Sequence, residues 1–344
     1  MKIGIDISSM HSMNKGRGIG SYAENLISSL KKYTEAGVVV IDSPKKNEKV
    51  DLIHYPFLDF FRPTLKITKN TPTVVTIHDV IPLLFPKHYP PGIKGRINLF
   101  RQKQSLKKIK AVIAVSNSAK ADIHKIFSLP KNRLKTVYES PANHFQKLSK
   151  SEAEEKVRKF NLPEKFVLYT GGVNWNKNLL TQTKAALLTN HDVVFVGGGF
   201  ENRKDLNHTE MKEFEEFLSR YENNPKIHIL GFVSNDELVG LINKAQVILF
   251  ASRYEGFGLP ILEAQICGTP VVAGNNSSMI EVAGDGAELV DANSFESIQS
   301  GLNKILNNTV YSRKLIAEGF INVKRFSWEK TAIETLAVYE KALE

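Results

Sequence analysis

Two doubly wound α/β domains, each a parallel sheet with helices on both faces, are the architecture this sequence predicts. Three observations carry the expectation. Short apolar runs of strand length alternate with helical patterns along both halves, a polar, proline-bearing stretch interrupts the rhythm once, and 344 residues exceed what one ordinary core organises. The strand runs are apolar almost throughout, which suits strands covered on both faces.

In order, "KIGIDIS" opens as a strand, and after a loop "GIGSYAENLISSLKKY" places Ile19, Tyr22, Ala23, Leu26, Ile27 and Leu30 on one helical stripe. Further strands are expected at "VVVID", "DLIHYP", "PTVVTIHD" and "AVIAVS", with helical patterns between several of them. Residues 140–165, "SPANHFQKLSKSEAEEKVRKFNLPEK", break the pattern and carry the domain boundary. The second half repeats it, with strands at "KFVLYTGG", "HDVVFVGGG", "KIHILGF", "AQVILFAS" and "TPVVAG" and helices around 178–189, 209–222, 234–244 and 260–267. The expected division is therefore 1–155, then 156–325, with a last helix over 326–344 packing back across the boundary. Open sheets of this kind bind ligands beyond the carboxyl ends of their strands, so two such domains facing one another are expected to enclose a cleft.

Composition narrows the chemistry. No run approaches the ~18 apolar residues of a membrane span, and the N-terminus lacks a charged-then-apolar export signal. The only cysteine, Cys267, can form neither an internal disulfide nor, alone, a zinc site, which fits a reducing cytoplasm. The net charge of +10 is concentrated: between Lys87 and Lys135 thirteen Lys and Arg face one acid, Asp122. A solvated helix face explains such a segment blandly. An anionic membrane surface or a phosphate-bearing acceptor explains it functionally, whereas nucleic acid is disfavoured because no recognisable nucleic-acid-binding motif accompanies the charge.

The stretch "SRYEGFGLPILEAQICGTPVV" carries the densest signal. Pro260 suits a first helical position and Gly268 a left-handed cap, so a helix over 260–267 is expected, with Glu255 in the loop before it and Glu263 in its first turn. Free amides at such a start suit a phosphate, and carboxylates beside them suit sugar hydroxyls. The rival reading is that Glu263 complements the helix dipole and the glycines turn the chain.

"EGFGLPILE", from Glu255 to Glu263, resembles the Glu-x7-Glu motif of the retaining glycosyltransferases of family 4. The likeness runs through "RGIGSYAENL", "TIHDVIP", "AVSNSAKADI", "YTGGVNWNKNL", "GFVSNDEL", "GTPVVAGNNSSMIEVAGDGAELVD" and "FSWEKTAIETLAVYEKAL". It implies the GT-B fold of two Rossmann-like domains, with a nucleotide-sugar donor in the C-terminal one and an acceptor held mainly by the N-terminal one. By that resemblance Glu255 holds donor-sugar hydroxyls, the backbone of Phe257, Gly258 and Leu259 approaches the same sugar, and Glu263 takes the ribose. The amides of Ile261 and Leu262 face the diphosphate, and Lys177 neutralises it as the glycosidic bond breaks.

Many members also carry an arginine where this chain has Gly172 and another where it has Asn176, so Arg253 or Arg203 is the expected substitute. Gly18, Ile19 and Gly20 match the loop that reaches over the diphosphate, and His78 matches a histidine close to the reacting sugar, positioning rather than attacking it. Asp79 would orient that ring or cap a turn.

No Asp-x-Asp, G-x-S-x-G, Walker loop or H-E-x-x-H is present, so neither a metal nor another cofactor is expected. The resemblance is strongest to mannosyltransferase-type members and implies GDP-mannose as donor, with a UDP-hexose or deoxysugar nucleotide as the alternative. The acceptor is expected to be a saccharide or a lipid-linked one, in surface polysaccharide, lipopolysaccharide or glycolipid synthesis. The protein is expected in the cytoplasm, peripheral on the inner face of the membrane. A non-catalytic nucleotide-sugar binder would keep the glutamates but lack His78 and Lys177, and both are present.

Overall fold

The computed structural model describes residues 1–8, 18–42, 49–67, 70–203, 206 and 208–344, with the Ile19 side chain left out. Contacts divide the chain into two compact units, one of Met1–Ala142 with Phe326–Glu344, the other of Asn143–Arg325.

In the first unit the order is β1 (Lys2–Asp6), α1 (Ile19–Tyr33), β2 (Gly37–Ile41), β3 (Leu52–Tyr55), β4 (Thr73–Ile77), α2 (Ile81–Leu84), α3 (Gly92–Leu106), β5 (Ala111–Ala114), α4 (Asn117–Phe127) and β6 (Leu134–Thr136). All pairings are parallel, in the order β2-β1-β3-β4-β5-β6. The strand order reverses between β1 and β3, and there the carboxyl ends of the strands leave a crevice. β3, β4 and β5 are buried along their full lengths, with the polar His54, Thr73 and Thr76 among otherwise largely apolar side chains.

In the second unit the order is α5 (Lys150–Val157), β7 (Phe166–Thr170), α6 (Leu179–Leu187), β8 (Asp192–Val196), α7 (Lys212–Tyr221), β9 (Ile227–Gly231), α8 (Asn235–Lys244), β10 (Val247–Phe250), α9 (Leu259–Cys267), β11 (Val271–Gly274), α10 (Met279–Ala283), β12 (Glu288–Val290), α11 (Phe295–Leu306) and α12 (Thr309–Asn322). This sheet is also parallel, in the order β12-β11-β10-β7-β8-β9, and reverses between β7 and β10. Capping boxes, Ser149 with Glu152 and Ser234 with Glu237, start α5 and α8. α5 packs on α8, so the unit begins ahead of that helix and a join at 155/156 would cut through it.

The last helix, α13 (Trp328–Leu343), belongs to the first unit. Trp328 Nε1 donates to Pro141 O at 3.0 Å, and Thr331 Oγ1 donates to Tyr138 O at 2.8 Å. Deeper, the His54 ring joins Tyr339 Oη at 2.6 Å and Thr76 Oγ1 at 2.9 Å, and Tyr22 Oη lies 3.1 Å from Thr76 Oγ1. Burial drives the His54 pKa down to about 3, so the ring is neutral in this apolar layer.

Candidate functional site

The second unit places Lys177 and Glu255 at the strand-order reversal, where the loops after β7 and β10 emerge side by side. The loop after β7 tightens into a single 3-10 turn, Trp175–Lys177, and Asn178 enters α6 in a left-handed conformation. Its buried side-chain amide donates to Ala251 O at 3.0 Å and to Ala292 O at 2.6 Å. Gln182 clamps the same place, donating to Lys177 O at 2.6 Å and accepting from the Ala251 amide at 2.7 Å. These bonds fix the Lys177 backbone against the end of β10.

From there the Lys177 ammonium donates to both oxygens of Glu255, at 2.8 and 2.9 Å, and stands 5.7 Å from the centre of the Phe250 ring. The Glu255 side chain is 9% exposed and that of Lys177 21%. Glu255 is buried beneath its partner, and the loop after β11 holds its backbone from behind. The Glu255 amide donates to Ser277 Oγ at 3.0 Å, while Ser278 Oγ donates to the carbonyls of Glu255 at 2.9 Å and Phe257 at 2.6 Å.

Three expectations about the helix start are corrected. α9 begins at Leu259, so Pro260 is its second residue and Glu263 lies in the second turn, half-buried. Gly258 is the residue that makes the earlier start feasible. It sits at φ 117°, ψ 45°, where an added Cβ would meet Ile261 Cδ1 at 3.3 Å in a backbone conformation that side chains rarely adopt. The Ile261 amide donates to Gly258 O at 3.0 Å and so is already engaged rather than waiting for an anion. Leu262 is buried beside it, and Gly268 supplies the expected left-handed cap at φ 73°.

Neither expected substitute cation is loose. Arg253 is paired with Glu213 at 2.5 Å and donates to Trp175 O, with its guanidinium 5.0 Å from the Trp175 ring centre. Burial raises the Glu213 pKa, against the opposing pull of Arg253. Arg203 pairs with Glu222 at 2.8 Å. Asn176, at the place of a family arginine, is a structural tie. Its side chain donates to Tyr254 O at 3.0 Å and its carbonyl accepts from the Arg253 amide at 2.8 Å.

In the first unit His78 follows β4, with Nε2 donating to Pro56 O at 3.0 Å and Nδ1 paired to Glu139 Oε1 at 2.8 Å. Tyr22 stands edge-on to the ring at 4.7 Å. Burial opposes a charge on the ring, but Glu139 outweighs it and the His78 pKa is raised. Glu139 holds the ring by its hydrogen bond, and Asp79 accepts from the Ile81 amide at 2.9 Å in the turn that leads into α2. Gly18 is the N-cap of α1 at φ 62°, accepting from the Tyr22 amide at 3.0 Å. Ile19 and Gly20 are the first two residues of that helix rather than loop, and residues 9–17 lie outside the description.

Lys177 and Glu255 are therefore brought together within one unit, while His78 and Gly18 belong to the other. The residues that sequence reasoning misses are partners: Glu139, Gln182, Glu213, Ser277 and Ser278. Only the run "NNSSMIE", quoted above for its resemblance, marks any of them. Among the described residues no group of three or more His, Cys, Asp or Glu is placed to hold a metal ion.

Comparison with known proteins adds the following. An O-antigen chain mannosyltransferase B of Escherichia coli is 28% identical over 274 residues, 78% of this chain and 70% of that protein. A serotype-specific mannosyltransferase, WbdA, of the same species is 25% identical over 76% of this chain, which spans 32% of that relative's length. Among solved structures, sucrose-phosphate synthase from Thermosynechococcus elongatus superposes with a TM-score of 0.80 at 17% identity, covering 99% of this chain and 98% of that one. Anabaena HepE, solved with UDP and glucose, superposes at 0.75 and 16% identity, covering 99% of both chains. These structural likenesses establish the GT-B fold. Residues 36–139 match the model described as glycosyltransferase family 4. Matched over residues 150–331 by the model described as glycosyl transferases group 1, the chain belongs to that family and is a glycosyltransferase.

Proposed function

We propose that the protein is a retaining, metal-independent enzyme that moves mannose from GDP-mannose onto a saccharide or lipid-linked acceptor in surface polysaccharide or glycolipid synthesis, on the cytoplasmic side of the membrane. The observation that carries the reading is the Lys177–Glu255 pair at the strand-order reversal, inside the family-matched residues. The names of the two Escherichia coli relatives support mannose and a surface polysaccharide.

In this reading the pair is an exchange device. A donor sugar offers hydroxyls to the Glu255 carboxylate, which accepts them in place of ammonium protons. The released Lys177 turns to the diphosphate, where negative charge grows as the glycosidic bond lengthens and a placed cation lowers the barrier. Glu263 takes ribose hydroxyls, and the Phe257–Leu259 backbone packs against the sugar. The leaving phosphate accepts the acceptor's proton on the face it departs from, so the configuration is kept without a protein nucleophile. In the first unit His78, whose pKa Glu139 raises, positions the reacting sugar, donating to it only by giving up Pro56 O.

HepE, with UDP and glucose bound, supports a UDP-hexose as the second donor reading. The test incubates the protein with GDP-mannose or UDP-glucose and a lipid extract as acceptor source, then reads the product's anomeric configuration by NMR. An α-mannosyl product is expected. An inverted product, or no consumption of either donor, would overturn the reading.

A further inference from the structure

Helix α3 packs Leu99 and Leu106 against the core of its unit, yet carries a second apolar face outward. Its sequence, GIKGRINLFRQKQSL, contains four cations and no acid. The side facing the protein is anchored by polar bonds. The buried Gln102 amide donates to the carbonyls of Asp59 at 3.1 Å and Arg62 at 2.6 Å and to Thr64 Oγ1 at 3.1 Å, while Asn98 donates to Phe61 O at 2.9 Å. Gly95 packs under the helix, where a Cβ would meet Pro91 at 3.0 Å.

What points outward is apolar: Ile93 is 80% exposed, Ile97 49% and Phe100 64%. Spaced i, i+4 and i+7, these three form one stripe. At about 100° per residue, Arg96 falls on one side of it and Lys94 and Arg101 on the other, all exposed. Lys107 and Lys108, exposed just past the helix, extend the charge.

Scattered apolar side chains on a surface are ordinary, but a stripe of them rimmed with cations fits one environment: an apolar layer beneath an anionic one. A nucleic-acid backbone would use the cations and leave the isoleucines and phenylalanine in water. A second copy would bring like charges face to face. We propose that α3 is a membrane-docking element lying in the plane of an anionic bilayer, with Ile93, Ile97 and Phe100 among the acyl chains and Lys94, Arg96 and Arg101 at the headgroup phosphates. No helix among the described residues is long and apolar enough to cross a membrane, so this attachment would be peripheral. The proposal stands independently of the donor and of sugar transfer.

The test is co-sedimentation of the full chain with vesicles of phosphatidylcholine alone, or of phosphatidylcholine with phosphatidylglycerol. The wild-type protein, I93S/I97S/F100S and K94Q/R96Q/R101Q are compared, and melting curves check that both variants fold. Binding is expected only to the phosphatidylglycerol vesicles, weakened on the order of a hundredfold by removing the three charges. The apolar variant should lose at least about tenfold, since burial of that stripe adds to the attraction. Failure to bind anionic vesicles would overturn the proposal, as would binding that survives either triple substitution. So would a finding that the apolar variant changes a monomer–dimer equilibrium, or binding to polyglutamate or duplex DNA, while vesicle binding stays the same.

Discussion

His78 and Lys177 are both basic groups held by a glutamate just beyond a parallel strand, yet they are built for opposite duties. The imidazole spends both ring nitrogens, on Glu139 and Pro56, with Tyr22 against its face. The ammonium sits on a four-carbon stem, and its donors can turn to a new acceptor without unpacking anything. A ring pinned at two ends makes a fixed base; a lysine over a buried carboxylate makes an exchangeable one.

The comparison breaks most sharply if Lys177 proves dispensable. Lys177→Met should lower kcat by about 10²–10³-fold, the scale of losing one charge-stabilising group at a transition state. Stability should fall as well, because Glu255 is left as a buried carboxylate without its partner. Steady-state kinetics beside a melting curve separates the two.

Glu139→Gln probes the fixed base. The raised His78 pKa means that the ring stays charged to higher pH than an ordinary histidine. Its contribution to stability is present in full below the unfolded value and lost as pH rises through the folded one. The variant should move any activity limb that depends on this charge to lower pH. It should also cost about 1–3 kcal/mol through the buried donor it strands, readable by denaturant unfolding. Asp79→Ala tests the weaker neighbour: its carboxylate also raises the His78 pKa, so this variant should move the same limb in the same direction but by less than Glu139→Gln.

The smallest effect concerns His54, where the sign is reversed. Its folded pKa, about 3, lies below the unfolded value, so its contribution is complete above the unfolded value and drains away in acid at up to about 1.4 kcal/mol per pH unit. At neutral pH nothing is lost. A stability profile of His54→Gln that keeps the wild-type acid slope would assign that slope elsewhere.

Most strands are legible because a covered parallel strand is a largely apolar run. β6 and β12 are not, since each is a three-residue edge strand, LKT and ELV, too short to show any period. Lys177 and Glu255 are legible one by one through the resemblance, but their pairing is not, because 78 residues separate them. Glu139, 61 residues from His78, lies just ahead of residues 140–165, whose sequence shows only a change of composition. The charge of α3 is legible as well. Which of its two apolar stripes faces the protein is not, because Leu99 and Leu106 go inward together with Gln102, a polar residue that periodicity alone would assign to water.

The central claim, that the Lys177–Glu255 pair is the donor's receiving point, is tested most directly by calorimetric titration of GDP-mannose and UDP-glucose into the wild-type protein, Lys177→Met, Glu255→Gln and the double variant. Saturable binding is predicted for one donor, weakened by at least about tenfold in each single variant, with the double less than additive because the two side chains share one interaction. Binding that is absent from the wild-type protein, or equally tight in all four, would contradict it.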